Sequence, residues 1–132
     1  MPRRTHKHAW LDLVVGALVV SLPGGCDGAQ TVSLVAEDFR FVPDVVRVRS
    51  SSPLTLSVYN AGREIHEFDS PILLYATEIP VAQTTAGSSD SPGLLLPPGR
   101  SLQILMAPPP GTYLYICRRK GHANMTGMLV VE

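Results

Sequence analysis

The stretch DVVRVRSSSPLTLSVYNAG, residues 44–62, contains two apolar–polar alternations separated by a turn. In the first, Val46 and Val48 alternate with arginines, and in the second every other residue from Leu54 to Val58 is aliphatic. Serines and a proline separate the two, and Asn-Ala-Gly follows the second. A period of two puts alternate side chains on one face of a strand, and turn residues mark strand ends. The stretch therefore predicts two half-buried β-strands.

The alternation continues on both sides of this stretch. Upstream, TVSLVAEDFRFVP has four candidate inward residues, namely Val32, Leu34, Phe39 and Phe41. Downstream, strands are predicted from His66, over residues 101–106, before Cys117 and at the C-terminal end. In the strand before Cys117, Tyr113 and Tyr115 share one face.

Composition agrees with many short strands joined by turns. The 132 residues include 12 prolines and 11 glycines but few aromatics, and there is no internal repeat and no pattern for a long helix. Residues 76–93 are rich in Thr, Ser and Gly, which predicts an irregular surface excursion with one helical turn. The chain length allows one domain with a modest core. An all-β sandwich is the fold class that this mixture favours.

Residues 1–29 have the layout of an export signal followed by a short linker. Arg3, Arg4 and Lys7 form a basic head, residues 13–20 are apolar, and small residues follow. The apolar run is shorter than the roughly 20 residues needed to span a membrane. A buried N-terminal helix is the alternative interpretation. We expect the protein to be exported.

Cys26 ends the segment SLPGGC, which resembles the box of bacterial lipoproteins whose cysteine becomes lipidated. Lipidation would anchor the protein on the outer side of the cytoplasmic membrane, whereas cleavage near Ala29 would release it to the periplasm. In both cases residues 30–132 form the exported domain, which keeps a single internal thiol, Cys117, and no disulfide. A lone thiol in an oxidising compartment survives if it is buried or bound to a metal.

The exported domain is nearly neutral. Three of the 11 basic residues and two of the 11 acidic residues lie before residue 30, which leaves eight basic and nine acidic residues. The two signs are mixed along the chain, and no long basic stretch suggests a nucleic-acid partner.

The segment CRRKGHANM, residues 117–125, brings together the side chains that carry chemistry. It holds Cys117, His122 and Met125, and His66 is the one other histidine of the exported domain. Two imidazoles, a thiolate and a weak thioether are the ligand set of blue copper sites. A cysteine close to a histidine also suits a nucleophile, so the residues alone leave both possibilities open.

The chain resembles the cupredoxins, the blue copper proteins that include plastocyanin, azurin and amicyanin. The resemblance covers residues 31–132. It rests on DFRFVPDVVRVRSSSPLTLSVYNAGREIHEF in the first half and on Cys-x-x-x-x-His-x-x-Met followed by TGMLVV at the end. It implies a Greek-key β-sandwich with one copper ion at one end.

The resemblance also implies a role for each residue of the site. His66, Cys117 and His122 match the copper ligands, and Met125 matches the axial thioether. Met128 is the rival for the axial position, and the family pattern implies that it packs in the core instead. The imidazole of His122 is implied to be the exposed edge of the site, facing the partner.

The function implied is that of a single-electron carrier, not an enzyme, which works as a monomer between redox partners such as a cytochrome or an oxidase. A copper-binding or copper-delivery protein without a role in electron transfer is the alternative. Arg118, Arg119 and Lys120 lie in the copper loop, where they form either a docking patch for an acidic partner or an ordinary solvated tip.

Three departures from the family pattern concern the surroundings of the sulfur. Only two residues separate His122 from Met125, so the loop must be taut, and Arg118 stands where Ser or Thr is frequent. Glu67 replaces the polar residue expected beside His66, although Asn60 could act as a hydrogen-bond donor near the site. Hydrogen bonds near the sulfur tune the reduction potential, so the potential does not carry over.

Other chemistries fit the chain less well. Structural zinc prefers four Cys or His ligands, and thioether is a poor one. A two-copper centre would need a second cysteine in the loop, and a multicopper oxidase would need more histidines. A Cys-His hydrolase would leave His66 and Met125 unexplained. The plainest alternative is that Cys117 and His122 are ordinary core residues.

Overall fold

The computed structural model describes residues 28–50, 52–79, 84–88 and 91–132. These contain ten strands and one short 3-10 helix, Pro71–Tyr75. The strands are β1 Gln30–Glu37, β2 Arg40–Val42, β3 Val45–Val48, β4 Leu54–Asn60, β5 His66–Asp69, β6 Thr84–Ser88, β7 Ser91–Leu96, β8 Ser101–Met106, β9 Gly111–Ile116 and β10 Thr126–Val131. Within these ranges no helix is long and apolar enough to cross a membrane. The predicted signal segment and Cys26 lie outside the described residues.

The strands form two sheets that enclose one core. One sheet has the order β2-β1-β4-β8 and the other the order β3-β10-β9-β5-β7-β6. Both sheets contribute to a single cluster of buried apolar residues, as in sandwiches whose inner faces interdigitate. Its fully buried members include Leu34, Leu54, Leu56, Ile104, Phe68, Leu94 and Tyr115. The prediction of an all-β Greek-key sandwich is confirmed.

The alternation in residues 44–62 produces the strands it predicts. Leu54, Leu56 and Val58 of β4 are buried and their neighbours point outward. Upstream, Leu34 and Phe41 are buried, and Val32 is partly buried against the core. Each Å² of apolar surface that is buried stabilises the fold by about 25 cal/mol. A slip of the pairing by one residue would expose every aliphatic side chain of β4, so this register is the favoured one.

Phe39 does not point inward, which corrects the sequence prediction. Its side chain is 53 % exposed and its φ is +71°, in the left-handed region. The reason is local: β1 and β2 pair antiparallel with Glu37 opposite Arg40, so Asp38 and Phe39 form the two-residue connection between them. A period of two holds within a strand and not through such a turn.

Residues 76–93 are more regular than their composition predicts. Thr84–Ser88 and Ser91–Leu96 are antiparallel strands at the edge of the larger sheet, and β7 also pairs with β5. The helical turn lies earlier, at Pro71–Tyr75, where the Ser70 hydroxyl accepts a hydrogen bond from the Ile72 N–H. The sequence does not predict β6, because its Thr, Ser and Gly residues show no alternation of apolar and polar side chains. Backbone pairing with β7 defines this edge strand.

Met128 lies on the outer face of the larger sheet, not in the core. It is 40 % exposed, and its strand neighbours opposite are Val45 and Leu114. Its neighbours in sequence, Gly127 and Leu129, point inward. The expectation that Met128 packs in the core is therefore wrong, because the strand period turns it outward.

The arrangement of strands collects several loops at one end of the sandwich. β5 and β9 pair antiparallel at Asp69 and Ile116. The start of β5 at His66 therefore lies beside the residues that follow β9, beginning with Cys117. The β1–β2 turn reaches the same end, since Asp38 accepts a hydrogen bond from the backbone N–H of Arg63.

Candidate metal centre

Three predicted ligands meet in a buried group. His66 at the start of β5, Cys117 after β9 and His122 in the following loop are 0 %, 4 % and 4 % exposed. The two Nδ1 atoms are 3.3 Å apart, and Cys117 Sγ lies 3.4 Å from His122 Nδ1. One donor atom from each residue lies within 4.8 Å of the others. Such separations leave room for one metal ion at bond lengths of roughly 2.0–2.3 Å.

The outer nitrogens of both imidazoles lie near carboxylates. His66 Nε2 is 3.4 Å from Asp38 Oδ1, and His122 Nε2 is 3.1 Å from Glu64 Oε2. The first of these contacts falls short of good hydrogen-bond geometry. Carboxylates in these positions favour the tautomer with hydrogen on Nε2, as they do for metal-bound histidines.

That tautomer explains why the donor group suits a cation. With hydrogen on both Nε2 atoms, the Nδ1 lone pairs of His66 and His122 face each other across 3.3 Å. Two buried lone pairs at this distance repel unless a proton or a metal ion lies between them. The sulfur beside them adds a third donor. The residues present therefore fit a soft or borderline metal such as copper.

Burial favours the neutral forms of His66 and Cys117. Burial lowers the pKa of His66, and the neighbouring His122 lowers it further. Burial also raises the pKa of the Cys117 thiol above its usual value. A nucleophilic cysteine needs the opposite shift, so this environment speaks against a Cys-His hydrolase. Binding of a metal to Cys117 would instead displace the thiol proton.

Backbone N–H groups of Glu67 and Arg119, and not Asn60, donate hydrogen bonds to the sulfur. The backbone N–H of Glu67 donates to Cys117 Sγ at 3.4 Å. The fully buried Asn60 donates from Nδ2 to the carbonyl oxygens of Glu64 and Leu96, both at 2.7 Å, and accepts from the Gly62 N–H at 2.8 Å. Asn60 thus fixes the loop that leads into His66, and it acts on the site through that loop.

We expect Asn60→Ala to lower the free energy of unfolding by about 2–4 kcal/mol, because the buried carbonyl of Leu96, the part-buried carbonyl of Glu64 and the part-buried Gly62 N–H each lose a partner. For a domain of this size the melting temperature should fall by about 10 °C or more. Thermal unfolding followed by circular dichroism measures the change. Gln103→Ala, at an exposed position of β8, is the matched control and should change little. An unchanged melting temperature for Asn60→Ala would show that the three bonds are dispensable.

The loop between β9 and β10 is as taut as its spacing predicts. The Cys117 N–H donates to the Met125 carbonyl at 3.0 Å, which closes the loop. Inside it, the N–H of His122 donates to Arg119 O and the N–H of Met125 donates to His122 O. Gly121 has a φ of +89°, a conformation in which glycine is the favoured residue. These turns bring His122 back to Cys117, which directly follows β9.

Met125 is buried in the loop that carries Cys117 and His122, whereas Met128 lies outside that loop and is exposed. Met125 is 1 % exposed and its backbone is bonded to both Cys117 and His122. Met128, three residues on, is 40 % exposed on the outer sheet face. The role of Met125 as the axial ligand stays a prediction.

His122 is covered, which corrects the expectation of an exposed imidazole edge. The ring of Phe39 meets the imidazole edge-on, with centroids 5.1 Å apart at 85°, and the carboxylate of Glu64 lies against Nε2. Together with the burial of its Nδ1 side, these contacts leave His122 4 % exposed. Sequence reasoning missed Asp38, Phe39 and Glu64 as neighbours of the site. No local pattern identifies them, because each reaches it through tertiary packing.

The basic tip of the loop divides into two parts. Arg118 Nη1 lies 3.1 Å from Asp69 Oδ2, whose side chain is 2 % exposed, so Arg118 is tied to the end of β5. Arg119 and Lys120 are exposed and form no ion pair among the residues that the structure describes. These two cations are the part of the patch that can meet a partner.

No family model and no curated protein matches the sequence. Solved structures resemble the fold. Auracyanin B is 24 % identical with a TM-score of 0.58, over 78 % of this chain and 88 % of that one. Auracyanin A, a "blue" copper protein from Chloroflexus aurantiacus, is 23 % identical with a TM-score of 0.59, over 80 % and 100 %. A purple cupredoxin from Nitrosopumilus maritimus is 15 % identical with a TM-score of 0.53, over 76 % and 99 %.

The likeness covers 88–100 % of the length of these proteins. Two β-sheets around one core, almost no helix in the described ranges, and a buried His-Cys-His group at one end agree with it. The protein therefore has a cupredoxin-like fold, and its His66, Cys117 and His122 form a group that could hold a type 1 copper site.

Proposed function

We propose that the protein is an exported type 1 copper protein that carries single electrons between redox partners. His66, Cys117 and His122 would bind the copper, with Met125 as the weak axial ligand. Copper, when bound, supplies the one-electron chemistry. The observation that supports the proposal most strongly is the pair of buried Nδ1 atoms, 3.3 Å apart, beside a buried thiol.

The protein's own residues would keep this site unchanged in both oxidation states. Glu64 would orient the imidazole of His122 from its outer nitrogen, Asp38 lies 3.4 Å from the outer nitrogen of His66, and the Glu67 N–H would hold the sulfur. Asn60 and the closed loop from Cys117 to Met125 keep the ligands in place. A site that does not rearrange exchanges electrons without waiting for its ligands to move, which is the property a carrier needs.

A copper-delivery protein is the second candidate, and burial of the donors argues against it. Delivery needs a site that a receiving protein can reach, whereas the three donor residues are at most 4 % exposed. Catalysis on a substrate is not part of the proposal. We therefore favour the carrier, working as a monomer with a partner such as a cytochrome or an oxidase.

Repeated electron transfer without loss of copper distinguishes the two roles. We expect the copper-loaded protein, mixed with a soluble c-type cytochrome, to pass through many cycles of reduction and oxidation while its visible band returns each time. A Cu(I) chelator in the solution should remove copper only slowly. Rapid transfer of copper to the chelator, together with no electron exchange, would support delivery and contradict the carrier role.

Export rests on residues 1–29 and is tested separately. We expect the full chain, expressed in a Gram-negative host, to appear outside the cytoplasm. Mass spectrometry of the mature protein should find either a lipid on Cys26 or an N-terminus near Ala29. Full-length, unprocessed protein in the cytoplasm would contradict the export proposal and leave the copper proposal untouched.

A further inference from the structure

His122 offers no bare imidazole edge to a partner. His122 is 4 % exposed, and the ring of Phe39 lies edge-on against it with centroids 5.1 Å apart. Phe39 itself is 53 % exposed. The ring therefore has one side against a predicted copper ligand and the other in solvent.

Phe39 is held in this position at an energetic cost. A bulky residue rarely adopts a φ of +71°, and such conformations persist where the surroundings enforce them, often at functional sites. Here the neighbouring Asp38 accepts hydrogen bonds from the N–H groups of Arg63 and Glu64 at 2.9 and 3.4 Å. These bonds tie the β1–β2 turn to the loop before His66 and fix where the Phe39 ring lies.

The exposed surroundings of the site combine apolar area with positive charge. Ile65, 41 % exposed, lines a depression that also borders His122 and the loop tip with Arg119 and Lys120. Arg63 is 95 % exposed at the side chain, and Asp38 lies 3.6 Å from it. Of the carboxylates at this end, Asp69 and Glu67 are withdrawn from the surface, at 2 % and 8 % exposed, whereas Glu64 lines the same depression with its side chain 57 % exposed. The exposed cations Arg63, Arg119 and Lys120 therefore outnumber the one well-exposed carboxylate.

Building on the function proposed above, we propose that Phe39 is the contact through which electrons pass to a redox protein whose haem edge is apolar and ringed by carboxylates. Docking would remove water from Phe39 and Ile65 and place acidic groups opposite Arg63, Arg119 and Lys120. In each encounter one electron would pass from Cu(I), which His66, Cys117 and His122 would hold, to the partner's ferric haem, so that copper becomes Cu(II) and the haem becomes ferrous. No bond forms or breaks, and no proton is exchanged.

The first test measures the rate at which the reduced copper protein reduces a ferric c-type cytochrome with an acidic haem rim. We expect Phe39→Ala and Phe39→Gly to slow this reaction about tenfold or more, as truncation of a central aromatic contact does. Glycine suits the left-handed backbone, so that variant removes the ring without straining the turn. Phe39→Tyr should retain the rate. Leu105→Ala, an equally exposed apolar position whose strand partner is Thr55, is the control and should stay within about twofold.

A second test reads binding without electron transfer. With a zinc-substituted, redox-inert form of the same cytochrome, amide signals of Phe39, Ile65 and Arg119 should shift on titration, and those of β8 should not. The double variant Arg119→Ser with Lys120→Ser should weaken the dependence of the rate on salt. Steering should fade as the Debye length falls from about 30 Å at 0.01 M salt to about 10 Å at 0.1 M.

Each result decides for or against the contact. If the Phe39 truncations leave the rate unchanged or raise it, the ring is only a cover over His122 and the proposal is overturned. If the rate of electron transfer does not depend on salt concentration, the partner is not one with an acidic rim, and the proposal is overturned. The visible band distinguishes these outcomes from failure of the copper site. If every variant retains the band, a changed rate concerns the Phe39 contact. If the protein never gains the band, the function proposed above is wrong.

Discussion

We expect Cys117→Ser to abolish the visible colour of the copper-loaded protein. The intense band of a type 1 site comes from charge transfer between a thiolate and Cu(II), and a serine hydroxyl cannot supply it. Cys117 is 4 % exposed and serine has nearly the same shape, so the variant should fold. The remaining His66 and His122 should still bind Cu(II), but weakly and without the band. Absorption spectra of the two proteins at equal copper content measure the effect.

Cys26→Ser in the full chain is the matched control for this change. Cys26 is the other cysteine of the sequence, and it lies outside the predicted copper domain. The control should keep the full intensity of the band. If Cys26→Ser lost the colour and Cys117→Ser retained it, the thiolate ligand would be Cys26. That result would contradict the assignment of the site to Cys117.

We expect Met125→Leu to keep the copper and to raise the reduction potential. An axial thioether is a weak ligand that donates electron density to Cu(II), so its removal favours Cu(I). Leucine conserves the volume at this buried position and should preserve the loop. Each tenfold change in the ratio of Cu(I) to Cu(II) affinity moves a one-electron potential by about 59 mV. Voltammetry of the two proteins gives the shift.

Met128→Leu is the control for the axial assignment. Because Met128 is 40 % exposed on the outer sheet face, its replacement should alter the free energy of unfolding by no more than about 0.5 kcal/mol. This is less than a core position would give. It should also leave the potential unchanged. A shift for Met128→Leu, with none for Met125→Leu, would reverse the assignment.

The strands that carry aliphatic alternation are the part of the fold that the sequence predicts well. β4 shows the pattern most clearly, and its inward residues Leu54, Leu56 and Val58 are buried as expected. The pattern works because burial of one face fixes the register. It fails for β6, whose polar residues are placed by backbone pairing with β7 at the sheet edge and leave no periodic signal.

The sequence also identifies three donors of the site but not their surroundings. His66, Cys117 and His122 were predicted from residue type and spacing, and the structure brings them together. The ring that covers His122 could not be predicted, because Phe39 sits in a two-residue turn that interrupts the strand period and meets His122 through tertiary packing. Residue type and spacing can predict which residues donate to a metal. How exposed the site is depends on loops that are distant in sequence.

The absorption spectrum of the protein after addition of one equivalent of Cu(II) tests the central claim most directly. If His66, Cys117 and His122 bind copper as a type 1 site, the solution turns blue or green and shows an intense visible band. The Cys117 thiol should then no longer react with a thiol reagent. A colourless protein that binds zinc instead, with the Cys117 thiol still free, would contradict the account.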